Sequence, residues 1–303
     1  MMSAEVVTLG EPMAVCYPPE PVTLDATGSL LLDIGGAESN LAIALARLGR
    51  RVRYISRVGD DPFGRRIAAT LAREGVEARL IVDTQAQTGV FFREWLPDGA
   101  RRVLYYRSGS AASRLAPDDL DPAAFAGARV VHLTGITPAL SLSCAAAVAR
   151  AVDLAHAAGA LVSFDPNYRP RLWDAATARE ALLPLMRRSD IILMGHEDAA
   201  AVLGPADDAA LLERAAALGP RIVVLKRAER GALALAEGRQ LEAPAEPVAR
   251  VLDPVGAGDG FDAGFLAGWL RGDSLDAALR LGARVGAAAV AALGDYNGYP
   301  RAA

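Results

Sequence analysis

Short apolar runs alternate along the chain with alanine-rich amphipathic stretches. Residues 5–9 read as a first strand closed by Gly10, and residues 51–57 as a second with β-branched and aromatic positions. Residues 130–133, 160–164, 191–193 and 222–225 are short runs dominated by apolar side chains, the pattern of strands buried on both faces. Residues 40–48 have helical composition and stop at Gly49; residues 62–74 start on proline and stop at Gly75. Residues 141–158, 175–187 and 207–218 predict further helices, and residues 258–270 and 274–293 predict two long ones near the end. Strand–helix alternation of this kind predicts an α/β fold, a three-layer α/β/α sandwich around a mostly parallel sheet.

Two zones break the alternation. Residues 13–34 read as short strands around Pro18, Pro19 and Pro21, and residues 88–107 as a hairpin turning at Pro97-Asp98-Gly99. Both predict a small β-sheet inserted into one domain spanning residues 1–303, placed to cover a cleft as a lid does. No internal repeat, low-complexity tract or long linker divides the chain.

Composition narrows the function classes. Of 303 residues 52% are hydrophobic and 22% charged, and the formal net charge is −4, far from the basic stripe of a nucleic-acid binder. Cys16 and Cys144 are too few for a disulfide framework, and the opening residues lack the basic and apolar segments of a signal peptide. No stretch approaches a membrane span, so a cytoplasmic protein with no membrane or nucleic-acid partner is expected. The 32 basic residues include a single lysine, Lys226.

The chemistry concentrates in Asp253-Pro254-Val255-Gly256-Ala257-Gly258-Asp259-Gly260. Gly256 and Gly258 allow close approach of a ligand to the backbone, and the helix that follows points its free N–H groups back at the loop, an anion site. Asp259 falls in the first turn of that helix. It is either a simple N-terminal cap or the base that takes a proton from an attacking hydroxyl in phosphoryl transfer. No Gly-x-x-x-x-Gly-Lys-Ser/Thr occurs, and Phe261 stands where a dinucleotide fingerprint needs its third glycine.

That loop resembles the C-terminal signature of the ribokinase-like (PfkB) carbohydrate kinases. Gly35-Gly36-Ala37-Glu38-Ser39-Asn40, with Gly49 and Arg57-Val58-Gly59-Asp60-Asp61-Pro62-Phe63-Gly64, resembles their N-terminal one. The likeness covers nearly the whole chain. Tyr105-Tyr106-Arg107-Ser108-Gly109-Ser110, His132-Leu133-Thr134-Gly135-Ile136 and Phe164-Asp165-Pro166-Asn167-Tyr168-Arg169 are similar to the branch acting on 2-keto-3-deoxy sugar acids. The resemblance implies a ribokinase-like fold with a β-sheet lid and transfer of the γ-phosphoryl of ATP, with Mg²⁺, to the 6-hydroxyl of 2-keto-3-deoxygluconate. It implies Asp259 as base with Gly256, Ala257 and Gly258 as anion hole. Gly35, Gly36, Asn40, Phe91, Tyr105, Arg107, Ile136 and Arg169 would meet the sugar, and Lys226, Arg227, Gly231, Gly256 and Gly258 the nucleotide. Asp198 is the candidate metal ligand.

Arg107 and Arg169 follow aromatic residues at predicted strand ends, where a guanidinium fork would match a sugar-acid carboxylate; the alternative is two ordinary surface arginines. Lys226 is a nucleotide contact or a solvated charge after a strand. The sequence departs from the family pattern at Phe91 (often tyrosine), Gly195 (asparagine), Ala228 (glycine) and Ala283 (asparagine). His132 reads as a satisfied strand-end histidine, His156 as structural, Cys144 as a small buried hydrophobe, and Glu38 as a helix-start charge or a relay to the lid. Exposed lid edges predict a homodimer or higher homo-oligomer. The rival readings are a fructose, ribose or 2-keto-3-deoxygalactonate kinase, and a sugar-acid sensor without turnover.

Overall fold

A computed structural model describes residues 3–98 and 100–302. In chain order the elements are β1 (Val6–Leu9), β2 (Met13–Tyr17), β3 (Leu31–Gly35), α1 (Ala37–Arg47), β4 (Val52–Gly59), α2 (Pro62–Arg73), β5 (Glu77–Asp83), β6 (Val90–Trp95) and β7 (Arg101–Tyr106). Then come β8 (Val130–Thr134), α3 (Leu142–Ala157), β9 (Leu161–Asp165), α4 (Ala175–Met186), β10 (Ile191–Gly195), α5 (His196–Leu203) and α6 (Asp208–Ala216). The chain closes with β11 (Ile222–Lys226), β12 (Ala232–Ala236), β13 (Arg239–Ala243), α7 (Ala257–Arg271) and α8 (Leu275–Val290).

Nine strands form one sheet in the order β13-β12-β11-β10-β9-β8-β1-β4-β5, parallel from β11 to β5 with β12 and β13 antiparallel at one edge. The apolar runs are buried on both faces because successive side chains point to opposite sides. Val130, Ile191 and Leu193 join the core beside α1, α2, α7 and α8, while Val131, Ile192 and Met194 join the core beside α3, α4, α5 and α6. Several helix starts are fixed by side-chain caps: Ser141, Asp174, Asp207 and Ser274 each accept a hydrogen bond from the first turn of the helix that follows.

β3, β2, β6 and β7 form a separate four-stranded sheet, in that order. One face carries Met13, Val15, Tyr17, Phe91 and Trp95, packed against Val103 and Leu293. The predicted hairpin pairs Trp95 with Arg101, and Leu96 N donates to Ala100 O at 2.7 Å. Gly99 of the predicted turn lies outside the described residues.

The structure adds elements that the pattern did not announce: β5, β12, β13 and α5, and the first turn of α1, which starts at Ala37 rather than Asn40.

Candidate active site

The parallel strands end on one side of the large sheet, and α7 begins there. Open α/β sheets bind ligands at this carboxyl edge. Gly256 occupies the N-cap position in a left-handed conformation (φ 80°), which a side chain disfavours, and an added Cβ would collide with the Asp295 carbonyl. Tyr299 Oη donates to Gly256 O at 2.6 Å and fixes the turn from behind.

Asp259 lies in the first turn of α7 and does not cap it, so the simple cap reading fails. Its Oδ2 accepts from Asn40 Nδ2 at 2.8 Å, while Asn40 Oδ1 stays buried without a partner. Burial pushes the Asp259 carboxyl above the usual range, and the Asn40 bond and the charges of Arg169 and Lys226 pull the other way. A half-buried carboxylate with raised basicity, one residue from the exposed Gly258, is equipped to accept a proton.

Lys226, at the end of β11, is not a solvated charge. Its side chain is 12% exposed, and Nζ donates to Asp165 Oδ2 at 2.8 Å and to Asp262 Oδ1 and Oδ2 at 2.8 and 3.0 Å. Burial opposes its protonation, but the two carboxylates outweigh it and hold the ammonium above the ordinary lysine range. Nζ lies 3.7 Å from where a Cβ on Gly258 would sit, so the ammonium stands next to the loop. The buried His132 ring, pushed down to about 4 by burial, faces Ser163 Oγ at 3.1 Å, as a satisfied histidine should. Cys144 is buried, and His156 ends α3.

The small sheet stands over this edge. Phe91 and Tyr105 have ring centroids 5.6 Å apart, and an added Cβ on Gly35 would lie 3.1 Å from Phe91 Cζ. A side chain on Gly36 would strike the Glu11 carbonyl. Glu38 stands in the first turn of α1 but is no surface charge: it is buried beneath Gly10 and accepts from Thr134 and Thr137 hydroxyls at 2.6 and 2.7 Å. Ile136 follows, half-buried, its N–H bound to Thr134 Oγ1 at 3.1 Å.

The two arginines part ways. Arg169 is exposed, donates only to the Tyr168 carbonyl among the described residues (3.1 Å), and its charge is felt by Asp259 and Asp198. Arg107 is no ordinary surface arginine: it stacks on Tyr105 and pairs through Nε, at 2.6 Å, with the buried Glu11, which also accepts from Ser110.

On the other side of α7, Asp198 is pushed up to about 6 by burial and by the Asp165 charge, with Arg169 and Lys226 opposing. Among the described residues no group of three or more His, Cys, Asp or Glu is gathered to hold a metal. The donor set fits Mg²⁺ bound by a carboxylate and substrate phosphates rather than by a protein cage. Arg227 is tied to Asp208 (3.3 Å) and Glu242 (2.5 Å), and Gly231 (φ 79°) makes the β11–β12 turn, where a side chain would strike the Ala243 carbonyl.

Sequence reasoning missed Glu11, Arg93, Asp253 as an ion-pair partner, Asp262 and Asp295. Asp295 lies after α8, yet its carboxylate fills the space beside Gly35 and its carbonyl abuts Gly256. Burial and the charges of Asp253 and Asp259 push its carboxyl up to about 7 against the pull of Arg93.

Comparison with known proteins agrees with this geometry. The description "pfkB family carbohydrate kinase" matches residues 3–302. The 2-dehydro-3-deoxygluconokinase of Bacillus subtilis is 34% identical over 99% of this chain and 93% of its own length. The 2-dehydro-3-deoxygalactonokinase of Haloferax volcanii is 35% identical over 94% and 91%. An Escherichia coli protein provisionally named ribokinase II, solved in complex with ATP and Mg²⁺, superposes with a TM-score of 0.90 at 26% identity, covering 98% of this chain and 96% of that one. The chain therefore belongs to the pfkB family of carbohydrate kinases.

Proposed function

We propose that the protein transfers the γ-phosphoryl of ATP to the 6-hydroxyl of 2-keto-3-deoxygluconate. The observation that carries this reading is the Asp259 carboxylate, held by Asn40 at 2.8 Å in the first turn of a glycine-flanked helix. In phosphoryl transfer the protein mainly positions the reactants and stabilises charge, and this loop supplies both. Asp259 takes the proton of the sugar hydroxyl as the oxygen attacks. The N–H groups of Gly256 and Gly258 receive the charge that develops on the transferring phosphoryl oxygens, and the Ala257 N–H joins them by giving up its 3.3 Å bond to the Pro254 carbonyl. Asp198 would hold Mg²⁺, which would supply positive charge to the nucleotide phosphates.

The exposed Arg169 is paired with no carboxylate among the described residues, and it binds the sugar carboxylate. Arg107, anchored by Glu11, presents Tyr105 and its own remaining N–H groups from above. Gly35 and Gly36 would meet the sugar through their backbone, since Asp295 and the Glu11 carbonyl take the space a side chain would need, with Phe91 and Ile136 as its apolar walls. The four-stranded sheet acts as a lid that excludes water, so the phosphoryl group reaches the sugar rather than solvent. Its outer strands expose Leu30, Leu31 and Tyr106 (43, 44 and 66%), which supports pairing of two copies through the lid. No helix among the described residues is long and apolar enough to cross a membrane, and a cytoplasmic enzyme fits the two free cysteines.

The Haloferax volcanii relative makes the galactonate epimer the second substrate to test. Steady-state ADP release should be measured with both keto-deoxy acids, fructose and ribose, and the product located by ³¹P NMR. A preference for the gluconate-derived acid with a 6-phosphate product is expected. Equal kcat/KM for neutral fructose would sink the carboxylate contact, and ligand binding without ADP release would sink the enzyme.

A further inference from the structure

Strand β6 carries a charge into the interior. Arg93 is 2% exposed, and what meets it is two more charges. Nη1 lies 2.9 Å from Asp253 Oδ2 and Nη2 3.1 Å from Asp295 Oδ1, with the carboxylates 1% and 3% exposed. The guanidinium lies over the Tyr17 ring, 4.9 Å from its centroid. Desolvating three ionised groups gains little net stability over an apolar cluster of the same volume, so stability is a poor reason for them. Their positions supply a better one. Asp253 immediately precedes the loop into α7, and its Oδ1 accepts from Val255 N at 3.2 Å. The carbonyl of Asp295 abuts Gly256, and its carboxylate fills the space at Gly35. One guanidinium from the small sheet thus grips both supports of the anion loop.

We propose that Arg93 is a positioning residue: through Asp253 and Asp295 it locks the small sheet in register with the loop Pro254–Gly258, and so places Asp259 against the acceptor hydroxyl. The proposal deepens the kinase reading above and rests on it for the chemistry, but not for the geometry. A fork is needed because the two carboxylates approach from different sides. A lysine offers one compact charge and forfeits the stacking on Tyr17.

The test uses Arg93→Lys and the double variant Arg93→Met/Asp253→Asn, since Arg93→Met alone leaves Asp295 buried without its cation and Asp253 with only Arg101, 3.7 Å away, a destabilising arrangement. In the double variant one of those charges is gone, and an asparagine oxygen at 253 can still accept from Val255 N. Hydrogen exchange of the free protein is read over residues 255–260, with β8 and β9 as internal controls. In both variants loop exchange should rise by about tenfold or more while the control strands stay protected. With ATP and the sugar acid, kcat should fall about tenfold to a hundredfold with KM little changed, the signature of misplacement rather than lost binding. Unchanged loop exchange overturns the proposal. So does wild-type kcat in either variant, because a support that only stabilised the fold would be relieved by removing the charge pair. If the wild-type protein leaves the sugar acid unphosphorylated, the kinase reading fails on its own, and the exchange result still decides the role of Arg93.

Discussion

On the proposed reading, replacing Asp259 with asparagine removes the base and almost nothing else. The side chains are isosteric, and the asparagine oxygen can accept from Asn40 Nδ2 across the same 2.8 Å. What disappears is the group that takes the hydroxyl proton, worth about 10²–10⁴ in rate, or about 3–5 kcal/mol in the barrier. The loss should fall on kcat, since binding of sugar and nucleotide draws on Arg169, the glycine loop and the lid. Stability should move the other way. Burial raises the Asp259 carboxyl in the folded protein, so folded chains hold its proton to higher pH than unfolded ones do. Above that raised value the wild-type protein carries a buried ionised group at a cost that the variant lacks. At pH 8 Asp259→Asn should therefore unfold at an equal or higher temperature, and the difference should shrink as pH falls toward the ordinary carboxylate range. Coupled ADP release gives kcat and KM, and circular dichroism gives the melting curve. A kcat within about threefold of wild type would refute the base. A loss confined to KM for ATP would reassign Asp259 to nucleotide binding.

Arg169→Gln should raise KM for the sugar acid about tenfold to a hundredfold, the worth of a charged hydrogen bond, and leave KM for ATP unchanged. Its loss also removes a charge that lowers the Asp259 carboxyl, so the acid limb of kcat against pH should move to higher pH. Gly256→Ala forces a side chain into φ 80° and against the Asp295 carbonyl, which should cost about 1–3 kcal/mol in urea unfolding and most of the turnover. His132, ordinarily near 6.5 and held near 4 by burial, stays neutral in the folded state while the unfolded chain takes up a proton. Between pH 7 and 5 it should therefore cost about 2 kcal/mol of wild-type stability, a loss that denaturation of His132→Asn should not show.

Much of the architecture is legible in the sequence because the strands of the central sheet are buried on both faces. Such strands leave apolar runs, and Ser141, Asp207 and Ser274 mark helix starts one residue before the first turn. Of the missed strands, β5 and β13 are the two edges of the large sheet and β12 lies beside one of them. In β5, Glu77 and Arg79 alternate with half-buried positions, as an edge strand that resists pairing tends to do, and the pattern is too polar to stand out. The alanines of β12 read as helix by propensity until pairing with β11 overrides them. In the site, Asn40 and Asp259 are visible because each sits in a glycine-rich motif. Glu11, Arg93 and Asp295 carry no such mark: Asp295 acquires its place only when the end of the chain folds back onto Gly35 and Gly256. A buried ion pair between distant residues has no local period to betray it.

The lone lysine joins the two levels. A chain that uses arginine at every other basic position keeps lysine at 226, where Nζ sits among three carboxylate oxygens at 2.8–3.0 Å. Three donors radiating from one nitrogen suit oxygens converging from β9 and α7; a planar guanidinium is too wide for that gap. Burial pushes the Asp262 carboxyl well above the usual range while Lys226 holds that of Asp165 below it, so the ammonium is balanced chiefly by Asp165. A helix N-terminus alone lowers the basicity of a carboxylate, whereas burial and the Asp165 charge raise that of Asp259. The basicity of Asp259 therefore comes from burial, with Lys226 behind the loop pulling against it. A buried carboxylate kept basic in this way suits the proposed task of taking a proton from a neutral alcohol.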